Sequence, residues 1–354
     1  MPTLPALDVK LNANYSLHVV ILGAGASVAA CPRGDRRGRQ VPVMNNLVNI
    51  LGLGQILEGA GVRFGGAADF ELIYDKLASS PGAEAARAKV EQAVRDYFSA
   101  LELPEHVTLY DQLLLSMRQK DIIATFNWDP FLLQACARNR LVGHLPKVVF
   151  LHGNVYLGYC PRHSTFGYAT QNCNQCGSPF EPSPLLFPIK NKNYRDHPLL
   201  AQQWNYLSQD LEHAYMLTIF GYAAPTSDAA AREIMLKAWS SNTTRELAQI
   251  EIIDILPRRT LEKRWDDFVG DLHGGKVSRF SHTWQFRYPR RSCETLAFAT
   301  LQMDPWATRT MPRFRRLNRL QEWIQPLIEE EEALEQNGTP LRRFREESGA
   351  ASTS

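Results

Sequence analysis

Val19-Val20-Ile21-Leu22-Gly23-Ala24-Gly25-Ala26-Ser27 is the stretch from which the rest of the chain can be read. Its apolar run does not alternate with polar residues, the pattern of a strand buried on both faces. Gly-Ala-Gly-Ala-Ser then reads as a tight turn into the start of a helix. Glycine lets a backbone turn sharply and approach a ligand, and the free N–H groups of a helix's first turn favour a phosphate. A Gly-x-Gly without a third spaced glycine also occurs in ordinary turns, so the stretch takes its meaning from the motifs that come after it in the chain.

The same pattern returns four times. Asp121 to Thr125 is a second buried strand, and Phe126-Asn127-Trp128-Asp129 comes next as a polar cluster. Lys147 to Leu151 is a third strand, ending at His152-Gly153. Met216 to Phe220 is a fourth, with Gly221-Tyr222 and then Pro225, Thr226, Ser227 and Asp228 in its turn. Gln249 to Ile255 is a fifth. Helical patterns stand between them, among them 82–102, with Val90, Val94, Tyr97 and Phe98 at helical spacing, and 197–213, with Trp204, Leu207 and Leu211 on one face. Strand alternating with helix over 18–255 predicts an α/β fold, a doubly wound parallel sheet. Open sheets of this kind place ligands just beyond the C-terminal ends of their strands.

Residues 158–181 break that rhythm. Cys160-x-x-His163 and Cys173-x-x-Cys176 are two ligand pairs in a turn-rich segment, a spacing suited to tetrahedral zinc. Four protein ligands leave no position for water, so the expected zinc is structural. Leu185 to Pro188 reads as a short strand leading back from this module. The polar loop 31–40 is either a solvated connection or a mobile lid whose Arg33, Arg36 or Arg37 meets a phosphate.

Composition bounds the remainder. A chain of 354 residues can bury one large core plus an accessory region. Its 44% hydrophobic and 21% charged residues and net charge of +2 are ordinary, and do not by themselves argue for nucleic acid or membrane. Six cysteines in this length do not make a disulfide scaffold. No apolar run reaches membrane-span length and residues 1–14 lack a leader's layout, so a cytoplasmic protein is expected. The expected organisation is a catalytic domain over 15–256 with the zinc module of 158–181 inside it, an accessory or oligomerisation region over 257–335, and a disordered tail over 336–354. The accessory region carries Arg258-Arg259, Arg290-Arg291 and Arg313, Arg315 and Arg316, with an acidic run from Glu329 to Glu332. These read as solvated faces or as a contact with a subunit, a partner or nucleic acid. Ser278 to Tyr288 alternates weakly, as a strand would.

Taken in order, the motifs resemble those of the SIR2-like (sirtuin-like) superfamily, and its bacterial anti-phage NAD hydrolase branch in particular, over roughly 18–256. Gly23-Ala24-Gly25-Ala26-Ser27 is similar to that family's phosphate-binding turn. Asp69-Phe70-Glu71 is similar to a signature of the branch. Thr125-Phe126-Asn127-Trp128-Asp129 stands where sirtuins have Thr-Gln-Asn-Ile-Asp, and Leu151-His152-Gly153 matches their Leu-His-Gly. A zinc module comes directly after it, with His163 in place of one cysteine. Gly221-Tyr222 with Ser227 resembles the later ribose and phosphate turn, and Asp254 falls where the fold places a ribose contact.

The resemblance implies NAD as substrate and cleavage of its nicotinamide–ribose bond. His152 then suits a general base. Asn127 offers a donor and an acceptor for the ribose and a water, and Asp129 either binds the nicotinamide amide or anchors the strand end. Gly23 to Ser27 would take the diphosphate. Trp128 and Phe126 replace smaller residues of deacetylases, and 184–188 lacks the pattern that lines an acetyl-lysine tunnel, which favours hydrolysis. The resemblance further implies a homo-oligomer held inactive within a defence system until a partner or a nucleotide signals infection. A protein deacylase or ADP-ribosyltransferase, or a non-catalytic nucleotide-sensing subunit, are the alternatives.

Overall fold

β1 (Leu17–Leu22), β2 (Ile122–Thr125) and β3 (Lys147–Phe150) pair in parallel, and the chain then leaves the sheet. It forms a small antiparallel sheet from β4 (Leu157–Cys160), β5 (Thr165–Tyr168) and β6 (Glu181–Pro182), in the order β5-β4-β6. It returns as β7 (Ala214–Phe220), β8 (Gln249–Ile253) and β9 (His273–Val277), completing a parallel sheet of order β3-β2-β1-β7-β8-β9. This computed structural model describes residues 17–337 except 64, 66–68, 190–191, 243–247, 270–272, 278 and 302. The arm expected at 1–14 and most of the expected tail lie outside those residues.

Both faces of the sheet are covered, which explains why its strands carry no alternation. Val20 and Leu22 point into a core shared with the helices Phe70–Ala78, Glu84–Ser99, Leu109–Ser116, Phe131–Asn139 and Leu317–Gln336. Val19 and Ile21 point the other way, into a core shared with Pro198–Leu211, Ala229–Ser240 and Arg258–Val269. The expected doubly wound α/β fold is present. Strand order reverses between β1 and β7, and the crevice beyond those two C-terminal ends is where such folds bind ligands.

Several local expectations are corrected. The sheet continues past 256 with a sixth strand, His273–Val277, inside the stretch expected to be accessory. Of the stretch Ser278 to Tyr288 expected as a strand, Ser278 lies outside the described residues and 279–288 is not a strand: it forms a 3-10 turn at Phe280–His282 and the helix Trp284–Arg287. Aromatics at alternate positions here are also four apart, and Trp284 and Tyr288 stack with ring centroids 5.0 Å apart. Leu185 to Pro188 is irregular, since prolines at 184 and 188 cannot donate to a ladder. Its Phe187 instead lies between Tyr74 and Trp128, at 4.8 and 4.9 Å.

The loop 31–40 is knotted rather than free. Buried Asp35 accepts from the N–H groups of Arg37, Arg39 and Glu102 at 2.9, 2.8 and 3.1 Å. Arg36 and Arg37 pair outward with Glu105 and Glu102. Arg290 and Arg291 are buried, not an outer face, and pair with Glu331 and Glu330 of the expected acidic run. Glu331 also meets the buried Arg118 at 3.0 Å, so this network binds the C-terminal helix to the main core.

Candidate active site

The Gly23–Ser27 turn is built against the end of β7. Gly23 N–H donates to Phe220 O at 2.9 Å and Gly25 N–H to Gly221 O at 3.0 Å. The contact leaves no room for side chains. A Cβ on Gly23 would stand 2.5 Å from Gly221 O, and one on Gly221, whose φ is +61°, would stand 2.4 Å from Ala26 N. These glycines are therefore needed first for packing. Ala26 N–H donates to Gly23 O at 2.9 Å, so three of the amides expected to meet a diphosphate already have acceptors. Ala24, at the first helical position, has no backbone acceptor for its N–H among the described residues.

A cavity of about 380 Å³ opens beside this turn. Gly23, Ala24, Gly25, Ser27, Asn127, Asp129, His152 and Gly221 all line it, joined by Asp69, Glu71, Lys192, Tyr222 and Asp228. Ala26 is buried behind the turn. Ser227 is one step removed and donates to Glu71 Oε2 at 3.0 Å. Asp254 is not among the lining residues; its Oδ1 accepts from Leu256 N–H at 2.9 Å and closes the turn after β8.

Asn127 and Asp129 extend from the end of β2 and hold the turn. Asn127 Nδ2 donates to Gly23 O and to Ser27 Oγ, both at 2.9 Å. Its Oδ1 has no partner among the described residues. Ser27 Oγ donates to Asp129 Oδ2 at 2.6 Å and lies 2.7 Å from Tyr110 OH. Asp129 Oδ1 accepts from Phe131 N–H at 3.2 Å, so the strand-end anchoring role is present. Burial pushes the Asp129 carboxyl up to about 6, against the Ser27 and Phe131 hydrogen bonds.

His152 stands at the end of β3, with the edge of Phe126 at 4.8 Å and the ring of Tyr194 stacked at 5.8 Å. Burial drives its imidazole down to about 3, a shift that Asp228 opposes and Lys192 reinforces. At neutral pH it is an uncharged base. Lys192 joins the site without having been singled out by any motif, while Tyr222 and Asp228 were legible only as parts of the turn after β7. Asp228 lies before an alanine-rich helix and reads as an ordinary cap, and Lys192 lies in a polar loop with no periodicity.

Cys160, His163, Cys173 and Cys176 converge in the small sheet, with ligand atoms all within 4.8 Å of one another. Cys160 Sγ lies 3.8 Å from Cys176 Sγ and 3.6 Å from His163 Nδ1, and Cys173 Sγ lies 3.5 Å from the same nitrogen. A zinc tetrahedron with Zn–S of about 2.3 Å and Zn–N of about 2.0–2.1 Å has edges of about 3.8 and 3.5 Å, so the set fits.

No family model matches the chain, and no curated protein matches it. Solved structures of Sir2 proteins do. One is a Sir2 in complex with an inhibitor, 2'-O-acetyl-ADP-ribose and a deacetylated peptide; it is 14% identical, with 85% of this chain and 99% of that chain covered and a TM-score of 0.35. A Sir2 homologue–NAD complex is 14% identical, covering 85% and 95%, with a TM-score of 0.30. A mutant Sir2 homologue bound to ADP-ribose is 13% identical, covering 85% and 98%, with a TM-score of 0.37. At these scores the chains superpose loosely.

Proposed function

We propose that this chain hydrolyses NAD to nicotinamide and ADP-ribose. The observation that carries the reading is the convergence of Asn127, His152 and the Gly23–Ser27 turn on one cavity at the switch point of the sheet. In this scheme the bond between the nicotinamide nitrogen and the ribose carbon breaks, and its electron pair leaves with nicotinamide. Water attacks the oxocarbenium-like carbon, and its proton passes to neutral His152. In this reading Asn127, whose Nδ2 is engaged by Gly23 O and Ser27 Oγ, would offer its uncommitted Oδ1 to the ribose or the water. Asp69, Glu71, Asp129 and Asp228 outweigh Lys192 around the cavity, an environment suited to the positive charge of the nicotinamide ring and of the opening sugar. The diphosphate would meet the Ala24 amide and the start of the short helix.

Zinc at Cys160, His163, Cys173 and Cys176 would fix the fold of the inserted sheet and take no part in proton transfer. The aromatic wall of Trp128, Phe187 and Tyr74 fills space beside the cavity, which favours water over a peptide as acceptor. Homo-oligomer formation and service in an anti-phage defence system, with a protein partner as trigger, extend this proposal and rest on the motif resemblance. The exposed Arg258, Arg259, Arg313, Arg315 and Arg316 remain the surface for such contacts. The test is nicotinamide release from NAD with and without an acetylated peptide. Peptide-independent release supports hydrolysis; release that requires the peptide makes the protein a deacylase.

A further inference from the structure

Asp228 occupies the N-cap position of the helix Ala229–Ser240, yet its side chain makes no capping hydrogen bond. Aspartate is among the favoured caps because its carboxylate usually satisfies a free helix amide. Here the carboxylate faces the cavity instead. Oδ2 accepts from Tyr222 OH at 3.1 Å, and Oδ1 accepts from Lys192 and from Tyr194 OH at 3.4 Å. The same Oδ1 lies 3.5 Å from His152 Nε2, a nitrogen that is buried without a hydrogen-bond partner among the described residues.

We propose that Asp228 is the positioning residue of His152, holding the ring proton on Nε2 so that Nδ1 is the basic nitrogen. A neutral imidazole carries one N–H, and the acceptor it finds decides which nitrogen bears it. Among the described residues, Asp228 and Lys192 are the charged groups facing His152, and Tyr194 is the titratable ring stacked on it. Burial alone would push the Asp228 carboxyl up, but the neighbouring His152, then Lys192 and the Tyr222 hydroxyl, hold it below the usual carboxylate range. The anion is thus maintained where the imidazole needs it. The gap of 3.5 Å closes with a shift of a few tenths of an ångström, as catalytic hydrogen bonds do when a site fills. An ion pair serving stability alone would satisfy Lys192 and leave the histidine tautomer unchanged.

The inference rests on the hydrolase reading for its kinetics but not for its geometry, so two measurements separate them. Long-range nitrogen–proton NMR of the full chain with labelled histidine, the signal identified by His152→Gln, reads the tautomer directly. The Nε2–H form is expected near pH 7 in the unmodified protein, with the proton shifting toward Nδ1 in Asp228→Leu. An Nδ1–H form in the unmodified protein, or no change in Asp228→Leu, overturns the proposal. In the kinetic arm, Asp228→Asn is expected to lower kcat for nicotinamide release about 10²-fold or more with less effect on KM. Removing the anion also lowers the basicity of His152, so the acid limb of the pH–rate profile moves to lower pH. Unchanged kcat and limb contradict the proposal. Absence of NAD cleavage by the unmodified protein sinks the hydrolase reading, while the tautomer still decides the role of Asp228.

Discussion

Asn127 Nδ2 lies 2.9 Å from Ser27 Oγ, tying the end of β2 to the turn after β1 across a separation of 100 residues. A side chain expected to meet substrate therefore also holds the turn that would bind it. Asn127→Ala removes this bond and the one to Gly23 O, and is expected to cost about 1–3 kcal/mol of stability. Calorimetry checks this, and an unchanged melting temperature would show that the turn stands without Asn127.

Gly221→Ala should be worse. The added Cβ meets backbone at 2.4 Å in a left-handed conformation, and neither neighbour is a flexible side-chain end. Loss of folded protein, or of NAD binding in whatever folds, is the expected outcome in expression and binding assays. A variant with wild-type stability and binding would mean that the two turns need not touch.

The buried Glu251 gives a pH dependence independent of the cavity. Burial pushes its carboxyl from the ordinary 4.5 up to about 8, against the Trp284 N–H and Thr218 hydroxyl bonds. A carboxyl whose value is raised on folding contributes stability below about pH 4.5, and loses it as pH rises through about 8. Melting temperature should fall across that window, and Glu251→Gln, which keeps an acceptor for Trp284, should flatten the fall. An identical pH profile in the variant would place Glu251 in a wetter setting.

The parts of the site that lie directly after apolar strands were legible in the sequence. Asn127, Asp129 and His152 each come after a buried run, and the paired two-residue spacings at 160–176 announce a metal site without reference to the fold. What was hidden lacked a local signal. His273–Val277 is a strand with two glycines and one apolar residue, held by pairing with β8 rather than by its own pattern. Arg290 and Arg291 look solvated because charge in a sequence does not reveal its partner. Glu331 and Glu330 lie about forty residues on, and only packing brings them together.

That buried pairing has a cost when broken. Arg290 donates Nε and Nη2 to the two oxygens of Glu331 at 2.6 and 3.0 Å. Arg290→Ala leaves a buried carboxylate with one fewer partner and is expected to destabilise by about 3–5 kcal/mol, read by chemical denaturation. A variant of undiminished stability that lost self-association would return Arg290 to the role of interface residue.

Cys173→Ser is expected to remove metal and stability together, because binding energy at a structural zinc site is folding energy. Metal content by elemental analysis and a melt on the same sample decide it. A protein without metal that melts as before would leave the four residues without a structural role.

Nicotinamide release from NAD, measured on the full chain and on its assembled complex with candidate activators present, tests the central claim most directly. Activated turnover without a peptide, reduced about 10²–10⁴-fold in His152→Ala and lost in Asn127→Ala, is the expected result. Activated turnover that survives both substitutions would contradict the account, because the chemistry would then lie on other residues.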